Sequence, residues 1–314
     1  MLIWEIRRVR HYLSNMGLCS AHITRKLKRF DTELKTIVLK TLKKDIVIES
    51  TIDRSKDYTV AIACLSKTRG NPDSACYLML DSLVQTELNK NALVIFRVDQ
   101  DDDIVHYQKL VKKYRNLIDI CVLVKSPMGA RRNFYQGYVD IYEAIKDVNY
   151  AWFQIITDDA LFTRCKVIDD LQEANELKNK FLITDKSIDV TQDSWFFDEN
   201  GEKVVISNPP VVDYPCIKKT FLKFVERKFE VIDLFGPNSC VDNYWASIFS
   251  SSEFYKVVPA YTRRSPQLRR FVDNKKINDN RRSELIENSS DAYSSQCHAI
   301  LKQLKASLKN KEFD

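Results

Sequence analysis

Two adjacent acids, Asp158 and Asp159, end the run Ala151-Trp152-Phe153-Gln154-Ile155-Ile156-Thr157. Neighbouring carboxylates repel one another and lose hydration when buried. A cation offsets that cost, and hard oxygen ligands of this kind suit Mg²⁺ or Mn²⁺. A continuous apolar run predicts a strand buried on both faces, and in open α/β sheets ligands sit beyond the carboxyl ends of such strands. The alternative is a solvated turn that closes a strand. From the pair alone both readings stand.

More polar residues gather at the ends of neighbouring apolar runs. Residues 59–65, Thr-Val-Ala-Ile-Ala-Cys-Leu, break into a turn-rich loop that carries Ser66 and Arg69 before Gly70-Asn71-Pro72. Residues 92–98 are apolar except for Arg97, and they stop at Asp99-Gln100-Asp101-Asp102-Asp103. A helical period over Tyr77, Leu78, Leu80, Leu83 and Val84 lies between these two runs. The segment therefore predicts a β-α-β unit with parallel strands and a right-handed crossover. A helix over 104–114 and a third strand over 118–124 follow. The next helix opens at Arg131-Arg132-Asn133, where the helix dipole disfavours cations. Such a break of a local rule at a strand-edge loop hints at function, although pairing with Asp101 to Asp103 would also explain it.

Composition limits the setting. The chain has 314 residues, a hydrophobic fraction of 44% and a net charge of +6 from 49 basic and 43 acidic side chains. That suits one large domain with extensions, and the charge is too mild to argue for nucleic acid. No apolar run reaches the roughly 18–20 residues of a spanning helix, and the first residues lack signal-peptide character. A cytoplasmic protein is expected. Eight cysteines stand singly, without metal-binding spacing, so free buried thiols are expected. Residues 1–57 are basic and carry apolar residues at helical spacing, among them Leu27, Phe30, Leu34 and Ile37. They predict a helical extension that packs on the domain or lies peripherally on an anionic membrane, with a polar linker over 50–57. Residues 263–314 read as a basic, helical C-terminal extension.

The succession VAIACLSKTRGNP, LVIFRVDQDDD, GARRNFYQG and WFQIITDDALF resembles the GT-A glycosyltransferases, in particular the large family 2 type that uses nucleotide-sugar donors. The resemblance covers residues 58–162. It implies a Rossmann-like, mostly parallel central sheet flanked by helices, with a nucleotide-sugar half at 58–162 and an acceptor half at 163–262. It further implies that Asp99 hydrogen-bonds the base and that Ser66 and Arg69 wrap base and ribose. Arg132 and Asn133 match the family's Arg-Asn pair. Asp158 would lie near ribose and donor sugar, and Asp159 would bind the Mn²⁺ or Mg²⁺ that neutralises the diphosphate. The chain departs from the family pattern at Gln100 and Ala160, where further acids are common.

In the acceptor half, 181–184 and 257–261 read as strands, 195–205 as a hairpin turning at Asn200-Gly201, and 217–229 as a basic helix. The segment Phe235-Gly236-Pro237-Asn238-Ser239-Cys240-Val241-Asp242 enters an apolar helix. The resemblance gives Asp242 the role of the base that deprotonates an acceptor hydroxyl, although an Asp at a helix start is also a common cap. Arg263 and Arg264 could close over the diphosphate. The implied reaction moves a sugar from a nucleoside-diphosphate sugar, UDP- or another, to a carbohydrate or lipid-linked acceptor with inversion. Two other functions remain open: a catalytically inactive binding or assembly module, and a sugar nucleotidyltransferase.

Overall fold

The computed structural model describes residues 46–66, 75–125, 136–185, 194–197, 203–206, 216–228, 255–259 and 261–264, with positions 303, 306, 307 and 310 near the C terminus. The expectations for residues 1–45, Arg69, Arg132, Asn133 and Asp242 lie outside them.

An eight-stranded sheet organises the chain, in the order β1-β4-β3-β2-β5-β10-β7-β11. Its first half comprises β1 (Ile46–Ser50), β2 (Tyr58–Leu65), β3 (Ala92–Asp99), β4 (Asp119–Lys125) and β5 (Tyr150–Thr157). The second half adds β7 (Leu182–Asp185), β10 (Cys216–Lys218) and β11 (Tyr255–Val258). The strands β4, β3, β2 and β5 are mutually parallel. Because β10 is antiparallel to both β5 and β7, and β11 is parallel to β7, only β1 and β10 oppose the other six strands. This is the mostly parallel α/β sheet that the resemblance implies.

Helices cover both faces, as a parallel sheet requires. On one face lie α1 (Ala75–Gln85), α2 (Ile104–Tyr114) and α4 (Val167–Glu176). They pack Met79, Leu83, Leu110, Tyr114 and Leu171 against Val60, Ile62, Val94, Phe96 and Trp152. The other face is covered by α3 (Gln136–Ile145) and α5 (Lys219–Lys228), whose Tyr138, Ile141, Phe221 and Phe224 meet Ala61, Ala63, Ile95 and Phe153. Successive residues of β5 thus alternate between two apolar layers, which accounts for its apolar sequence, broken only by the buried Gln154. At Gly137 in α3 an added Cβ would lie 2.6 Å from Leu65 Cδ2, so the missing side chain lets this helix approach the end of β2 closely.

Several details differ from what the sequence predicts: the strand expected at 257–261 lies at Tyr255–Val258, and Thr262–Arg264, which run into the expected helical C-terminal extension, form a strand. Residues 46–50, expected within the helical extension, form β1 antiparallel to β4. The β-branched run Ile46-Val47-Ile48 suits a strand, and the open edge of β4 supplies the backbone partner. Thr51 extends this edge: its backbone N–H donates to Ile120 O at 3.0 Å, and its hydroxyl accepts from Ile120 N at 2.7 Å. The expected helix over 217–229 begins only after the short strand β10. The two strands of the expected hairpin are present as β8 (Ser194–Phe197) paired antiparallel with β9 (Lys203–Ile206), and the expected turn at Asn200-Gly201 lies outside the described residues. Among the described residues, Cys64, Cys76, Cys121 and Cys216 are buried free thiols and Cys165 is an exposed one.

Candidate active site

The strand order reverses between β2 and β5. From β2 the chain moves outward through β3 and β4, then returns to the other side of β2 as β5. Ligand crevices of open α/β sheets lie at such switch points, beyond the carboxyl ends of the strands. Leu65 and Thr157 are the last residues in register between β2 and β5, so Ser66 and Asp158 emerge side by side. The Ser66 hydroxyl donates to Asp158 Oδ2 at 3.0 Å. Asp158 is only 3% exposed. Asp159 is partly exposed and accepts from the Thr157 hydroxyl. One carboxylate is thus held inward and its neighbour faces outward.

The chain continues into β6 (Ala160–Phe162), which pairs antiparallel with β12 (Thr262–Arg264). Arg264 lies opposite Ala160 and Arg263 opposite Leu161. The register therefore brings both arginine positions beside the acid pair, although they are a hundred residues away in sequence. Arg263 is exposed.

Asp99 ends β3 as expected, and there it meets an arginine of its own strand. Arg97, 3% exposed, pairs with Asp99 through Nη1 and with Asp140 of α3 through Nε at 3.4 Å. Gln136 Nε2 donates to Asp140 Oδ1 at 3.3 Å. A guanidinium inside a parallel strand needs such partners, since a buried charge without them is prohibitively costly. Arginine within an otherwise apolar run was the available signal for this cluster.

On the opposite face Ser66 has further neighbours. Its Oγ lies 2.9 Å from Cys76 Sγ of α1 and 2.9 Å from the Tyr107 hydroxyl of α2. The Tyr107 hydroxyl donates to Asp102 Oδ2 at 3.2 Å. Burial, reinforced by the charge of Asp158, pushes the Cys76 thiol well up. Burial does the same to the Tyr107 phenol, so both remain protonated, neutral groups at physiological pH. The acidic cluster after β3 thereby resolves into separate roles. Asp99 takes the arginine, Asp102 takes Tyr107, and Asp103 caps α2 by accepting from His106 N at 3.3 Å. Asp101 is exposed.

Among the described residues no group of three or more His, Cys, Asp and Glu side chains could hold a metal ion. The Asp158–Asp159 pair nevertheless fits a particular kind of cation. Mg²⁺ and ions like it commonly bind through one or two carboxylates and complete their shell with water and substrate phosphates. Two neighbouring carboxylates are a donor set of that type.

No family model matches the chain, and no curated protein matches it. Among solved structures it is similar to residues 1–349 of TarS from S. aureus in complex with UDP, at 13% identity and a TM-score of 0.45. That match covers 81% of this chain and 72% of the other. A second TarS structure shares 13% identity at a TM-score of 0.46, with 82% of this chain covered, and the chain spans 44% of its length. A Bacillus anthracis protein described as a glucose-1-phosphate thymidylyltransferase, in complex with sucrose, shares 10% identity at a TM-score of 0.43. There the match covers 71% of this chain and 96% of that one.

Proposed function

We propose that the chain is a glycosyltransferase that binds a nucleoside-diphosphate sugar at the β2/β5 switch point and passes the sugar to an acceptor hydroxyl. The observation that carries this reading is the buried Asp158, hydrogen-bonded to Ser66 across the switch point, with the more exposed Asp159 next to it. A diphosphate leaving group brings several negative charges to a sheet edge that already carries two. A divalent cation held by Asp159 and Asp158 would neutralise them and act as a Lewis acid toward the leaving group. Asp99 would accept an N–H of the base, and Arg263 and Arg264 would add positive charge near the diphosphate. Asp242 would take the proton of the acceptor hydroxyl as the new glycosidic bond forms, with inversion at the anomeric carbon.

The test is calorimetric and kinetic. The chain should bind UDP with Mn²⁺ and slowly hydrolyse a UDP-sugar in its presence. Asp159→Ala should lose the metal-dependent part of both while its melting temperature is kept. Binding of UDP and Mn²⁺ by Asp159→Ala as tightly as by the parent would refute the metal assignment. Metal-dependent binding with no turnover of any nucleotide sugar would leave a binding module instead of an enzyme.

A further inference from the structure

We propose that Tyr107 is a positioning residue that locks the turn carrying Asp99 and Asp102 to the strand end carrying Asp158, so that the two ends of the donor site act as one unit. The inference rests on the donor site proposed above for its ligand and on geometry alone for the linkage. Three polar contacts connect the two acid groups: the Tyr107 hydroxyl donates to Asp102 at 3.2 Å, the Ser66 hydroxyl donates to Asp158 at 3.0 Å, and the two hydroxyl oxygens lie 2.9 Å apart, a contact to which either proton can turn. Asp102 N in turn donates to Asp99 O at 3.0 Å, which ties Asp102 into the turn that follows the proposed base-binding residue.

Tyr107 is suited to this task. Its ring is wholly buried, at 5.2 Å from the His106 ring and 6.2 Å from that of Phe96, so its hydroxyl is delivered from a fixed position. The hydroxyl has one proton and two acceptors, Asp102 and Ser66. Ser66 likewise has one proton, shared among Asp158, Tyr107 and Cys76. A cation on Asp158 competes for the lone pairs that Ser66 addresses. The Ser66 proton can then turn to the Tyr107 oxygen, which strengthens the bond that Tyr107 already donates to Asp102. Occupation of the diphosphate end thereby tightens the turn at the base end. A partner bonded directly to a ligand, as Ser66 is to Asp158, commonly changes metal affinity by about 10–100-fold when removed, and Tyr107, one bond further back, is expected at the low end of that range.

Two measurements test this. The first needs no ligand: the shifts in melting temperature caused by Ser66→Ala and Asp102→Ala should be non-additive in the parent and additive in Tyr107→Phe. Additive shifts in the parent overturn the linkage. The second is titration of UDP with Mn²⁺, against uridine alone. Tyr107→Phe keeps the ring and should melt only about 2–4 °C lower. It should bind UDP with Mn²⁺ about 10-fold more weakly while binding uridine as the parent does. Ser66→Thr, which retains a hydroxyl, should keep the affinity that Ser66→Ala loses. Unchanged UDP and Mn²⁺ affinity in Tyr107→Phe overturns the positioning role. A parent that binds neither UDP nor Mn²⁺ overturns the proposed function, and the additivity measurement then decides the linkage by itself.

Discussion

The Ser66 hydroxyl donates to the Asp158 carboxylate at 3.0 Å across the point where the strand order reverses. This bond joins β2 to β5 just beyond their last registered pair, at a carboxylate that water scarcely reaches. Ser66→Ala removes one donor from that buried acceptor. The expected loss is about 1–3 kcal/mol of stability, read from denaturant unfolding. Ser66→Thr should recover most of it, because the hydroxyl is retained.

This bond also marks how far the sequence could be read. The strands β2, β3, β4, β5 and β7 were legible because buried parallel strands leave continuous apolar runs, and Asp99, Asp158 and Asp159 were legible because each ends such a run. The partners of these acids were not. Tyr107 reads as one more apolar position of an amphipathic helix, and nothing local shows that its hydroxyl meets Ser66 41 residues away. β12 could not be foreseen either, because three residues carry no periodicity and its pairing with β6 spans the whole acceptor half. The strand β1 is hard to see in the sequence because Ile46-Val47-Ile48 is a short run that directly follows the charged residues Lys43-Lys44-Asp45.

Arg97 provides a second prediction. Its guanidinium is 3% exposed and serves two carboxylates, Asp99 and Asp140, on neighbouring elements. Arg97→Met keeps the volume of the stem but leaves those acids facing one another without a cation. Breaking a buried pair in this way costs about 3–5 kcal/mol. Since Asp99 and Asp140 retain some contact with solvent, the lower end of that range is expected. Arg97→Met combined with Asp99→Asn and Asp140→Asn should recover part of the loss. A single mutant as stable as the parent would show that the pair contributes nothing.

Alkaline pH gives a third. Burial, with the nearby charge of Asp119, raises the Tyr58 phenol from 10.0 to about 12. The folded chain therefore keeps this proton where the unfolded chain releases it. A group whose pKa is raised in the fold contributes stability that is fully present below its unfolded pKa and is lost as pH rises through the folded value. For Tyr58 that window is pH 10 to 12. Within it, Tyr58→Phe should reduce the slope of unfolding free energy against pH by up to one proton, measured by urea unfolding at several pH values. An unchanged slope would mean that the phenol is not held protonated by the fold.

The remaining prediction separates catalyst from binding module. Asp242 lies outside the described residues, so its role rests on the sequence: an acid at the start of an apolar helix, where the resemblance places the base. Asp242→Asn changes little that a cap requires, because Asn caps a helix about as well as Asp. The melting temperature should stay where it is, and UDP with Mn²⁺ should bind as before, since Asp242 belongs to the acceptor side of the proposed reaction. The amide cannot take a proton at neutral pH, so sugar transfer should fall by about 10²–10⁴-fold, the usual contribution of a general base. Hydrolysis of the donor by water should fall less, because it does not require an acceptor hydroxyl held against Asp242. If transfer is retained in a fully folded Asp242→Asn chain, Asp242 is a cap, and the base must be another acid of the acceptor half, with Asp193, Asp198 and Asp213 the first to replace.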